Sequence, residues 1–140
     1  MGMKRTARLV LNKAFIQSYL DALSGHAKPP TLVNEFVADE RLRDHIAVIE
    51  AAFPRFQIST DDVFGEQDKI VVRGTLRGVH CGELMGIAPT RKQVTMAFTI
   101  ILRVHGGRIV EHWPSADLFG MLRQLGRSHH EHGAVIWPPA

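Results

Sequence analysis

The chain has 140 residues, 45% hydrophobic and 22% charged, with a single cysteine and a formal net charge of +3. That length holds one hydrophobic core and is short for two, and the balance is that of a folded domain rather than a disordered segment. A lone Cys81 excludes an internal disulfide and thiolate metal clusters.

No apolar run approaches the ~20 residues of a membrane helix. Leu9-Val10-Leu11 is too short to be the apolar core of a secretory signal. Basic residues are interleaved with acidic ones, and only Lys4, Arg5 and Arg8 cluster, so no nucleic-acid-binding face is visible. The expectation is a cytoplasmic protein with no nucleic-acid or membrane partner.

Residues from about Ala7 to Leu23 read as a helix, with Phe15, Ile16, Tyr19, Leu20 and Leu23 on one stripe of period 3.6. Gly25 suits the position after its end, and Pro29-Pro30 prevents continuation. Thr31 is placed to cap a short second helix ending near Val37. Asp39 then reads as the N-cap of a third, with Leu42, Ile46, Ile49 and Phe53 on its inner face and Pro54 closing it. His45 falls on that inward side, either a core histidine or a polar group of a pocket.

From here the period changes to two. A weaker edge strand covers Phe56 to Val63. Lys69 to His80 alternates, with Ile70, Val72, Gly74, Leu76 and Gly78 facing one way. Gln93 to Val104 does the same, with Val94, Met96, Phe98, Ile100 and Leu102 on one side. Gly106-Gly107 supplies the positive φ angles of a two-residue hairpin leading into Arg108–Trp113. Leu118, Met121, Leu122 and Leu125 form a last short helix stopped by Gly126. Helices first and a strand meander after them give an α+β domain, a twisted antiparallel sheet with helices on one face.

Three segments carry further information: Gly78-Val79-His80-Cys81-Gly82-Glu83, the Pro89-Thr90 turn, and Ile109-Val110-Glu111-His112-Trp113-Pro114-Ser115-Ala116-Asp117 before Gln124-Leu125-Gly126. Together they resemble the SnoaL-like polyketide cyclase (ester cyclase) family of the nuclear transport factor 2-like superfamily, over roughly Phe53 to Gly126. The resemblance implies a cone: a strongly curved antiparallel sheet wrapped around the N-terminal helices and enclosing a pocket. It implies a single domain over residues 1–140, in which 1–6 and 127–140 are less ordered tails. Arg91 stands where the family usually has a turn glycine, so a turn open to an L-residue is expected.

The resemblance also implies cofactor-free acid/base catalysis of an intramolecular aldol-type ring closure on a small hydrophobic carbonyl or ester compound. Asp117 aligns with the family's acidic residue. It also sits where a helix N-cap belongs, and the residues alone leave cap and acid/base roles open. His80, at the end of an inward-facing strand side, is the second catalytic candidate, with a loop hydrogen bond as its alternative. His45, Met96, Phe98, His112 and Trp113 are the candidate substrate-binding residues. Glu111 and His112 are neighbours and point to opposite sides unless a bulge intervenes.

No cofactor and no metal are expected; His129-His130-Glu131-His132 is at most an adventitious site. A non-catalytic small-molecule binder of the same fold is the alternative. So is an isomerase or hydrolase, which needs a second carboxylate from Glu111 or Glu83. The outer face of the strands (Val71, Thr95, Ala97, Thr99, Ile101) is apolar enough to suggest a homodimer.

Overall fold

Four helices and four strands follow in the order α1 (Gly2–Leu23), α2 (Pro30–Phe36), α3 (Glu40–Ala52), β1 (Gln57–Glu66), β2 (Lys69–Val79), β3 (Gln93–His105), β4 (Arg108–Ala116) and α4 (Leu118–Gln124). This computed structural model describes residues 2–126, so the expectations for 127–140, including the four residues from His129 to His132, lie outside the described residues. The strands form one antiparallel sheet in the order β1-β2-β3-β4, curved but not closed. Among the described residues, no helix is long and apolar enough to cross a membrane.

The alternation sorts the sheet as expected. Ile70, Val72 and Leu76 of β2 pair with Leu102, Ile100 and Met96 of β3 and face the helices. Ile16, Leu20 and Leu23 of α1 and Leu42 and Ile46 of α3 close the core from the other side. A second cluster joins Phe53, Phe56, Leu84, Ile87 and Val94 to Leu118, Met121, Leu122 and Leu125 of α4. Gly106 and Gly107 have φ angles of 59° and 73°, the paired left-handed conformation of the β3–β4 turn.

Three local readings change. The first helix starts at Gly2, where the sequence pattern placed its start near Ala7. Pro30, not Thr31, opens α2: its missing N–H costs nothing in a first turn, and no side chain caps that helix. Arg91 has φ 63°, so the turn keeps the left-handed geometry natural to glycine and an arginine occupies it.

The loop after β2 shows why Gly82 stands where it does. The amides of Cys81 and Gly82 both donate to the carbonyl of Ala52 at the end of α3. A Cβ on residue 82 would lie 2.0 Å from the Ala51 carbonyl oxygen, which is backbone and cannot yield.

Candidate active site

The connection between α2 and α3 is stitched to the start of β4. The amides of Ala38 and Asp39 donate to the carbonyl of Ile109 at 2.8 and 3.1 Å. Arg108 Nη2 donates to the carbonyls of Asn34 and Val37. Immediately after this tether the strand carries a bulge. Val104 pairs with Ile109, but Arg103 pairs with Glu111, leaving Val110 as the extra residue. Beyond it His112, Pro114 and Ala116 lie opposite Leu102, Ile100 and Phe98 and share their inner face, while Glu111, Trp113 and Ser115 turn outward. Unbroken alternation from the buried Ile109 would have given the opposite result.

The bulge and the tether together bring Asp39 to His112. His112 Nδ1 is 2.6 Å from Asp39 Oδ2, with the two side chains 5% and 14% exposed. The other carboxylate oxygen, Oδ1, accepts from the amides of Arg41 and Leu42 and caps α3, as expected from the sequence. On the far side His112 Nε2 lies 3.2 Å from His45 Nδ1. Burial works to raise the Asp39 pKa. The hydrogen bond from His112, the Leu42 amide, the His112 charge and the Arg41 amide outweigh it, holding the carboxyl below the usual carboxylate range. The stability tied to this carboxylate is therefore present above the ordinary aspartate range and lost as pH falls through its lowered value.

An apolar cavity of about 110 Å³ lies between α1, α3 and the sheet. Tyr19, Ile46, Ile49, Met96, Phe98 and Pro114 are among its walls. His45 immediately precedes the wall residue Ile46 on α3, and His112 is the inward residue before the wall residue Pro114; neither imidazole is itself among the lining residues. An engineered apolar cavity of about 150 Å³ holds one benzene ring, so the resting space takes a small reacting group rather than a polycyclic molecule. Tyr19 is one of the wall residues; burial pushes the pKa of its hydroxyl upward, so it stays protonated.

Of the residues singled out in the sequence, Met96 and Phe98 line the cavity, while His45 and His112 contact each other and are not among its lining residues. Trp113 does not line it either: it stands on the outer face, 42% exposed, with the Lys69 ammonium over its ring. Asp117 is also outside. It is exposed, its Oδ1 accepts from the amide of Gly120 as the N-cap of α4, and it borders a polar depression with Asp61, Arg73 and Thr75 on the outer side of the sheet. The placement of Trp113 follows from the bulge, which reverses the parity of the later residues of β4, whereas Asp117 lies beyond the strand at the start of α4.

His80 is fully buried and serves the loop that follows it. Its Nδ1 accepts from the Thr90 amide at 3.1 Å and lies 3.0 Å from Thr90 Oγ1. That places its proton on Nε2, which is buried and has no hydrogen-bond partner among the described residues. Burial lowers its pKa, favouring the neutral form. It is not among the residues lining the apolar cavity. Glu111 pairs outward with Arg103, and Glu83 is exposed, so neither supplies a second carboxylate to the cavity. The sequence reading missed Tyr19, taken as part of an apolar stripe, and the second role of Asp39, taken only as a cap.

The fold is similar to that of several solved proteins. The structure of AclR from Streptomyces galilaeus, a candidate hydroxylase, superposes with a TM-score of 0.73 at 23% identity, covering 84% of this chain and 86% of that one. IdmH from Streptomyces antibioticus, a candidate polyketide cyclase, gives a TM-score of 0.68 at 25% identity over 83% of this chain and 99% of its own. A SnoaL-like protein from Jannaschia sp. CCS1 gives 0.73 at 19% identity over 84% and 93%. A search of curated proteins gives no match. The model of the SnoaL-like polyketide cyclase family matches residues 11–125, most of the chain, and the protein belongs to that family.

Proposed function

We propose that this protein is a cofactor-independent acid/base enzyme that closes a ring by an intramolecular aldol-type reaction on a small hydrophobic carbonyl or ester compound. The observation that carries this reading is the partly buried Asp39–His112–His45 chain, whose imidazoles are close in sequence to the wall residues Ile46 and Pro114 of an apolar cavity. A neutral imidazole takes a proton from the carbon next to a carbonyl, the C–H electrons become an enolate, and the enolate attacks a second carbonyl of the same molecule. The alkoxide formed recovers the proton from the imidazole, so the sum is an isomerisation with no redox partner. The Tyr19 hydroxyl is the donor for the enolate oxygen, and the cavity walls hold the chain folded, which removes much of the entropic barrier to ring closure. The imidazole pair takes the role that the family resemblance gave to Asp117.

The test is proton exchange. In D₂O the protein should accelerate deuterium uptake at the methyl group of an aryl methyl ketone, followed by NMR. Asp117→Asn should leave the rate within about threefold, because asparagine also caps a helix. An inactive Asp117→Asn variant that folds normally returns the role to Asp117. Ketone binding with no exchange above buffer favours the binding-protein reading, which the almost wholly apolar lining supports.

The outer sheet face, with Phe64 56% and Trp113 42% exposed beside Val71 and Ile101, is the surface proposed for a homodimer. Light scattering at micromolar concentration should give twice the chain mass, and Trp113→Glu should give the monomer. A wild-type monomer rejects this.

A further inference from the structure

We infer that the first half of α1 docks on an anionic lipid bilayer, with Val10 and Leu11 entering the headgroup boundary and the flanking cations meeting its charge. The inference goes beyond the proposed reaction and does not depend on it. At about 100° per residue, the core residues Ile16, Tyr19, Leu20 and Leu23 fix the side of α1 that faces the sheet. Ala7, Val10, Leu11 and Ala14, spaced i, i+3, i+4 and i+7, fall on the opposite side and are exposed. Val10 at 60% and Leu11 at 69% are the most exposed large apolar side chains among the described residues.

Charge selects the partner. Lys4 and Arg8 border this strip on one side and Lys13 on the other, with Arg5 exposed nearby. No acidic residue precedes Asp21, and among the described residues no ion pair takes up any of these four cations. The whole chain carries +3, so with +4 on these residues everything after Lys13 sums to −1. A second copy would set the cations against themselves, and a nucleic acid offers Val10 and Leu11 no apolar phase. An anionic bilayer accepts both features, and a helix lying in its surface needs no groove. The expectation of no membrane partner rests on spanning length, which a surface helix does not require. Because α1 packs on the inner side of the sheet, this surface is separate from the outer face proposed for the homodimer. The same helix lends Tyr19, Leu20 and Leu23 to the cavity wall, so attachment holds the cavity near the phase where hydrophobic compounds concentrate.

At low salt the full-length chain should co-sediment with phosphatidylcholine vesicles containing about one-third phosphatidylglycerol, and not with phosphatidylcholine alone. Val10→Gln combined with Leu11→Gln should weaken binding at least about tenfold. Lys4→Gln, Arg5→Gln and Arg8→Gln together should weaken it about a hundredfold, at about fivefold per charge. All five side chains are exposed, so both variants should melt at the wild-type temperature. Wild-type protein that stays in solution with the anionic vesicles overturns the inference. Unchanged binding after loss of the two apolar side chains also overturns it, because charge adhesion alone then suffices. Equal retention of wild type and that variant on heparin, without vesicle binding, makes the partner a soluble polyanion and overturns it too.

Discussion

His112→Gln is expected to lower ketone proton exchange by about a thousandfold, within the range that a positioned acid/base group contributes. Glutamine is the severe test because it imitates the hydrogen bonds without the chemistry. Its NH₂ can donate to Asp39 and its carbonyl can accept from His45, so the links at 2.6 and 3.2 Å have replacements. An amide cannot take or relay a proton at neutral pH, so the proposed imidazole base is lost while its hydrogen bonds are imitated. Melting temperature should stay within a few degrees of wild type, and the NMR exchange rate should collapse. A variant that keeps the wild-type rate removes the imidazole chain from the mechanism.

Tyr19→Phe should lower the exchange rate constant by about a hundredfold, the cost of deleting one donor from an oxyanion site. The ring would remain, so packing against Phe36, whose centroid is 5.8 Å away, should persist. KM should change little, because the cavity contributes apolar contact to substrate and transition state alike, whereas the hydroxyl acts on charge that develops during the reaction. Separate kcat and KM values from a substrate titration decide it. An unchanged kcat means that the hydroxyl does not face the developing oxyanion.

Local signals were legible where their cause was local. The two glycines at 106 and 107 announced their turn, Asp39 announced the start of α3, and the period of two sorted β2 and β3 correctly. Met96 and Phe98 were therefore identifiable as cavity walls. The site itself depends on contacts that no local pattern encodes. Asp39 and His112 are 73 residues apart and meet because the Ile109 carbonyl anchors the residues before α3. The bulge at Val110 leaves no signature in residue type, since valine suits an ordinary strand. Trp113, expected to bind substrate, accordingly stands on the outer face. Tyr19 was hidden for a different reason: an aromatic on an apolar stripe reads as core whether or not its hydroxyl reaches a cavity.

The extra residue at Val110 makes β4 reversible in principle. Gain or loss of one amino acid there would exchange its two residue sets, sending Trp113 inward and His112 to the solvent side, with the sheet and its helices unchanged. A scaffold with that property can present different chemistry to its ligand through one codon's insertion or deletion. Relatives that align well in sequence across this strand can therefore differ in which side chains meet the bound molecule.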